Sequence, residues 1–179
     1  EYIGITFGSP KITVYIPAGE YGALTVNAST SDTEISKEFK FESIDISQST
    51  GNVKCLASAN GDIKIKTSTG HITVENITTS SLNLAVTTGD IVVSDTKCVG
   101  DLSVKVTTGK VKLENIRCSN VISTGDTGDI TLTNVITDKS IDIERTTGDV
   151  KFNGCDASEL VIVTDTGNVK GTLLSDKVF

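Results

Sequence analysis

The feature that most limits how this chain can fold is a repeat. A Thr-Gly-X-Ile/Val tetrad occurs at Thr50-Gly51-Asn52-Val53, Thr69-Gly70-His71-Ile72 and Thr88-Gly89-Asp90-Ile91. It returns at Thr108-Gly109-Lys110-Val111, Thr127-Gly128-Asp129-Ile130, Thr147-Gly148-Asp149-Val150 and Thr166-Gly167-Asn168-Val169. The Gly-to-Gly intervals are 19, 19, 20, 19, 20 and 19 residues. A degenerate copy at Thr33-Glu34-Ile35 lies 18 residues before Gly51, so about eight units span residues 24–174.

With each Gly set as position zero, apolar residues fall into columns. Position +2 reads Val53, Ile72, Ile91, Val111, Ile130, Val150 and Val169, and position −7 reads Ile44, Ile63, Leu82, Leu102, Val121, Ile141 and Leu160. Positions −5, +4 and +7 are mostly apolar too, with Lys, Asp, Ser, Thr and Glu between them. Alternation with period two in β-branched residues means strands, here two short ones meeting at a Gly corner. The same strands could form an antiparallel sandwich with Thr-Gly-Asp hairpins. Equal spacing favours a coil, because each rung of a solenoid must stack on the last, whereas sandwich loops need not match in length. The reading is therefore all-β: a three-sided parallel β-helix of about eight rungs of 19–20 residues. Strand spacing of about 4.8 Å makes this a rod roughly 38 Å long.

Two further corners complete the rung. Position +6 reads Asn76, Asp95, Asn115, Asn134 and Gly154, residue types that tolerate left-handed backbone. Asn60-Gly61-Asp62 and Val99-Gly100-Asp101 mark the third. The Thr at −1 has the inward parity of −5 and −7, so a stacked hydroxyl column serving the corner backbone is expected. Six of the eight aromatics, Tyr2, Phe7, Tyr15, Tyr21, Phe39 and Phe41, lie in the first 41 residues. A solenoid exposes its core at both ends, so residues 1–23 read as an N-terminal cap with entry strands, residues 24–174 as the array and residues 175–179 as a tail. Together they make one domain.

The Ser/Thr-Thr-Gly-Asp-Ile cadence, entered through Ile12-Thr13-Val14-Tyr15-Ile16-Pro17, resembles a bacterial adhesin-labelled family of β-strand-repeat domains, a domain of unknown function. The resemblance runs from about Lys11 to Leu174. It implies a right-handed parallel β-helix in a cell-surface or envelope setting, and it transfers no catalytic residues. Some members of that family belong to envelope-stress sensing systems.

The residues able to carry chemistry fall into a few columns. The single histidine, His71, sits at the outward +1 corner position with Asn52, Asp90, Lys110, Asp129, Asp149 and Asn168 as column mates, so an exposed corner residue is expected. Cys55, Cys98, Cys118 and Cys155 are 43, 20 and 37 residues apart, which does not suit zinc. Cys55 and Cys155 fall in core columns. Cys98 and Cys118 both occupy +9, one rung apart; a disulfide is within Cα reach, but parallel side chains favour a reduced stack. Asp126, Asp129, Asp149 and Asp165, with Glu144 and Arg145 near, flank three successive corners. Such an edge could hold a calcium ion or serve a carbohydrate-active enzyme, but Asp is also a turn former. The expectation is no catalytic, cofactor-binding or metal-binding residues and no cofactor.

Composition supports this frame. The 26 Thr, 18 Ser and 16 Gly stand against eight aromatics and 37 % apolar residues, too apolar for disorder and too rich in Thr for helices. Sixteen basic against 23 acidic residues give a net charge of −7, which repels phosphate backbones and argues against nucleic acid. No apolar run approaches the ~20 residues of a membrane helix, so no membrane insertion is expected within this segment. There is no methionine, so a processed or excised chain is expected, with any leader or anchor outside it. The functional expectation is a non-enzymatic extracellular or cell-envelope module that binds an unknown protein or glycan, or acts as a spacer. End-to-end self-association is a further expected partner mode. The alternatives are a carbohydrate-active β-helix enzyme using the Asp-rich edge, or an envelope-stress sensing or assembly domain.

Overall fold

The computed structural model describes residues 17–175. Sixteen strands and no helix occur among them, and every named strand pairing is parallel. The first rung carries β1 (Gly19–Thr30) and β2 (Thr33–Ile35). The second carries β3 (Phe39–Thr50), β4 (Val53–Cys55) and β5 (Ser58–Ala59). The third carries β6 (Ile63–Thr69), β7 (Ile72–Glu75) and β8 (Thr78–Thr79). The fourth carries β9 (Leu82–Thr88) and β10 (Ile91–Cys98), and the fifth opens with β11 (Leu102–Thr108). The long strand β12 (Val111–Thr127) closes the fifth rung and opens the sixth, and β13 (Ile130–Thr147) closes the sixth and opens the seventh. The array ends with β14 (Val150–Cys155), β15 (Glu159–Thr166) and β16 (Val169–Leu173).

Two main ladders run the length of this parallel β-solenoid. Before the Gly corner the order is β1-β3-β6-β9-β11, continuing through β12, β13 and β15. After it the order is β2-β4-β7-β10-β12-β13-β14-β16. A third, shorter side carries β5 and β8 and pairs Lys97 with Thr78. Expected entry-strand residues Lys11–Ile16, the rest of residues 1–16 and tail residues 176–179 lie outside the described residues. The β1 ladder already pairs Gly19 with Phe39, and the rings of Tyr21, Phe39 and Phe41 cluster at centroid separations of 5.9–6.4 Å.

The apolar columns form one core. Ile44, Ile63, Leu82, Leu102, Val121 and Ile141 are at most 1 % exposed, and the +2 residues Val53 to Val150 are equally enclosed. Each fully buried aliphatic side chain contributes about 1.5–3 kcal/mol.

The Gly corner is a steric necessity. Gly70 has φ 142°, and a Cβ there would lie 2.0 Å from the carbonyl oxygen of Gly51 in the preceding rung. The same relation recurs at Gly89, Gly109, Gly128, Gly148 and Gly167. The second corner is the expected left-handed one, with φ of 48–61° at Asn76, Asp95, Asn115, Asn134 and Gly154.

One expectation fails. The Thr at −1 (Thr50, Thr69, Thr88, Thr108, Thr127, Thr147 and Thr166) are all exposed, not inward. Pairing passes from Gln48↔Thr67 directly to Thr50↔Thr69, because the chain bends at −2 and alternation stops there. The last inward column is −3. From it Thr67 Oγ1 reaches the carbonyl oxygens of Gly51 and Thr69 (both 3.4 Å), and Thr164 Oγ1 donates to Gly148 O (3.2 Å). Hydroxyls do serve the corner, but from two positions earlier.

The −3 column also holds a charge. Arg145, read from sequence as part of the acidic edge, is instead 2 % exposed and points inward. Its register partner Gly125 leaves it room, since a Cβ on Gly125 would meet Arg145 Nη1 at 2.0 Å. Ser123, in a position that is Ile, Leu or Val in other rungs, accepts a hydrogen bond from Nη2 at 3.0 Å. Nε and Nη1 have no protein partner. Burial pushes the guanidinium below its usual pKa, while Asp126 opposes that shift.

Gly89→Ala should lower unfolding stability by at least about 2–3 kcal/mol in denaturant titration. Gly22→Ala, whose added Cβ meets nothing within 4 Å, should stay within about 0.5 kcal/mol of the parent. Arg145→Met, which removes a buried charge with two unpaired nitrogens, should be neutral or stabilising by up to about 4 kcal/mol in the same titration.

Candidate functional site

The candidate chemistry lies around the Gly corners. At +1 the side chains form a ladder between rungs. Asn52 N–H donates to Asp32 Oδ1 (2.7 Å), His71 N–H to Asn52 Oδ1 (2.9 Å) and Asp90 N–H to His71 Nδ1 (3.1 Å). Lys110 N–H donates to Asp90 Oδ1 (2.7 Å), Asp149 N–H to Asp129 Oδ1 (3.1 Å) and Asn168 N–H to Asp149 Oδ1 (2.9 Å). Each side chain satisfies a corner amide that its own rung cannot reach. Lys110 has no acceptor to offer; its ammonium lies 3.8 Å from Asp129 Oδ2.

This arrangement divides the acidic edge. Asp129 and Asp149 belong to the ladder, and the hydrogen bonds from Asn168, with Lys151 assisting, hold the Asp149 carboxyl below its usual pKa. Asp126 and Asp165 stand on the other side of the corner, in the outward −2 column. They line a shallow depression of about 370 Å³ with Lys105, Thr124, Glu144 and Thr146. Arg145 contributes to its floor, with its guanidinium turned into the core. No group of three or more metal-ligating side chains converges among the described residues. His71 is exposed as expected, and its Nδ1 lone pair is engaged by the Asp90 amide.

A second groove of about 310 Å³ follows the left-handed corner. Asn134 Nδ2 donates to Asn115 Oδ1 and Asn115 Nδ2 to Asp95 Oδ1, both at 2.9 Å. Thr78, Lys97 and Arg117 form its other wall. Sequence reasoning placed these residues at a corner but missed both side-chain ladders; the signal was the recurrence of acceptor-bearing Asn and Asp in one column.

All four cysteines are free and buried. Burial pushes the Cys55 thiol up to about 11, and Cys98 and Cys118 up to about 12, with Asp101 adding to the rise in the latter two.

These features can be set beside known proteins. The family model Toastrack DUF4097 matches residues 3–100 and again residues 92–177. The chain belongs to the Toastrack DUF4097 family. The double match follows from the repeat, since rungs of one length let the same model align to either half. The Toastrack assignment agrees with a β-solenoid repeat domain of unknown function and does not extend to the adhesin label. No curated protein and no solved structure matches the chain.

The buried thiols set an alkaline limit. In the unfolded chain they ionise near pH 8.5, whereas in the folded chain Cys55, Cys98 and Cys118 stay protonated to about 11 or 12. The unfolded state therefore loses its protons first. Stability should fall as pH rises above about 9, by up to about 1.4 kcal/mol per pH unit for each thiol. Denaturant midpoints across that range should fall less steeply in a Cys98→Ser/Cys118→Ser variant.

Proposed function

We propose that this Toastrack domain is a non-enzymatic module of the cell surface or envelope, which presents a flat polar sheet face to a protein or glycan. The observation that carries the reading is the commitment of Asp129, Asp149 and His71 to rung-to-rung hydrogen bonds. These groups, the best candidates for acid-base work, are used as backbone acceptors. What remains outward along the first ladder is a regular display of hydroxyls and charges, with Ser49, Ser68, Thr87 and Thr146 exposed in one column. Regular rungs hold such a display rigid, and a rigid display lowers the ordering cost of binding an extended polymer.

A second reading, an assembly or sensing domain, draws on the last rung. Val169 is 47 % exposed where its column mates Ile130 and Val150 are fully enclosed, and Leu160 and Ile162 are only partly buried. A further rung would cover them, and a strand supplied by another protein is one source of it.

The test combines protease shaving of intact source cells with a glycan array and a reducing-sugar assay on the purified domain. The expected result is release of the domain from intact cells, and glycan binding without new reducing ends. Product release that Asp126→Asn abolishes would overturn the non-enzymatic reading. Exclusive recovery from the cytosol would overturn the location. Light scattering on the same material distinguishes end-to-end assembly from a monomeric binder.

A further inference from the structure

We propose that Cys98 and Cys118 form a two-coordinate thiolate site for a soft monovalent cation, copper(I). The parallel register of β10 and β12 runs through Thr96↔Ile116 and Lys97↔Arg117, so the next residues, Cys98 and Cys118, occupy equivalent positions on adjacent rungs. Both face the core, at 4 % and 5 % exposure. Residues stacked in parallel register point the same way and stand about 4.8 Å apart. A disulfide needs Cβ atoms roughly 3.5–4.5 Å apart and side chains that converge, so the stack does not suit one. Metal–thiolate bonds are about 2.3 Å at tetrahedral zinc and shorter in a linear pair, so two thiolates in line on one soft ion stand a little over about 4 Å apart, close to the rung spacing. Copper(I) favours soft thiolate ligands, and its closed shell accepts a linear pair.

The surroundings point the same way. The inward column continues to Thr79 beside Cys98 and to Thr137 beside Cys118. Thr79 Oγ1 is engaged with the carbonyls of Gly61 and Ser81, but Thr137 Oγ1 is buried and has no partner. A thiolate at Cys118 would give that hydroxyl an acceptor. The Cys118 thiol donates to the Asn120 carbonyl at 3.3 Å, a bond given up on ionisation, and the Leu102 backbone favours the ionised form. Asp101 acts against a bare thiolate at both cysteines, and copper(I) offsets one of the two negative charges that the thiolates bring. Loading is a proton exchange. Two S–H bonds break, two Cu–S bonds form, two protons leave to solvent and no redox change occurs at sulfur. Cys55 and Cys155 lie on other columns and serve as internal controls.

The test titrates the reduced protein with copper(I) under anaerobic conditions, in competition with a chromophoric copper(I) chelator. The parent and the Cys55→Ser and Cys155→Ser variants should each take up a single tightly held copper. Cys98→Ser and Cys118→Ser should each lose at least tenfold in affinity while keeping the parent's β-sheet circular dichroism spectrum. In the parent, copper(I) should also raise the thermal midpoint and release protons in weakly buffered solution. Uptake unchanged in Cys98→Ser, or no uptake by the folded parent, would overturn the site. Ready closure of a Cys98–Cys118 disulfide by diamide in the native protein would overturn the spacing argument.

Discussion

The structure depends on one close approach. Each corner Gly packs its Cα against the carbonyl oxygen of the previous corner, at a place where any Cβ would lie about 2.0 Å from that oxygen. Adjacent strands stand about 4.8 Å apart, and a chain that turns sharply while keeping that spacing must bring backbone against backbone. Only residues without a Cβ allow it, so the corner recurs as Gly in seven rungs. Once the corners are aligned, the in-phase columns, the parallel ladders and the +1 side-chain ladder follow, since all take their register from the same point.

Departures from the columns come in compensated sets. Arg145 is accommodated by Gly125 and Ser123 in the rung before it. In the same way Gly171 leaves room for the ring of Phe152, against which its Cβ would lie at 2.3 Å. A rung can take a large or charged residue where its neighbour gives up volume, because a narrow solenoid core has no second layer to absorb strain. Each such set couples two rungs that otherwise differ little.

Much of the fold was legible because period and spacing report directly on stacking. The columns at −7, −5, +2 and +4, the left-handed Asn corner and the enclosed Cys55 and Cys155 all follow from counting residues from Gly. The −1 threonines were misread because period two holds only while the strand is straight, and the bend at −2 turns both residues outward. The acidic edge was legible as a cluster in sequence but not in space. Asp129 and Asp126 are three residues apart, yet they lie on opposite sides of the corner and face different neighbours.

The sequence by itself determined the repeat, the strand content, the parallel stacking and the membership of one apolar core, because these depend on period and on which residues recur. Only the tertiary structure decided what the polar residues do. The bend at each corner sets which hydroxyls face inward, and the register between rungs turns Asn52, His71, Asp90, Asp129 and Asp149 into acceptors for the amide of the next rung. The same register places Arg145 under Gly125. A hydrogen-bond partner 19 or 20 residues away has no local signature; it exists only once the coil has closed and brought the rungs within reach.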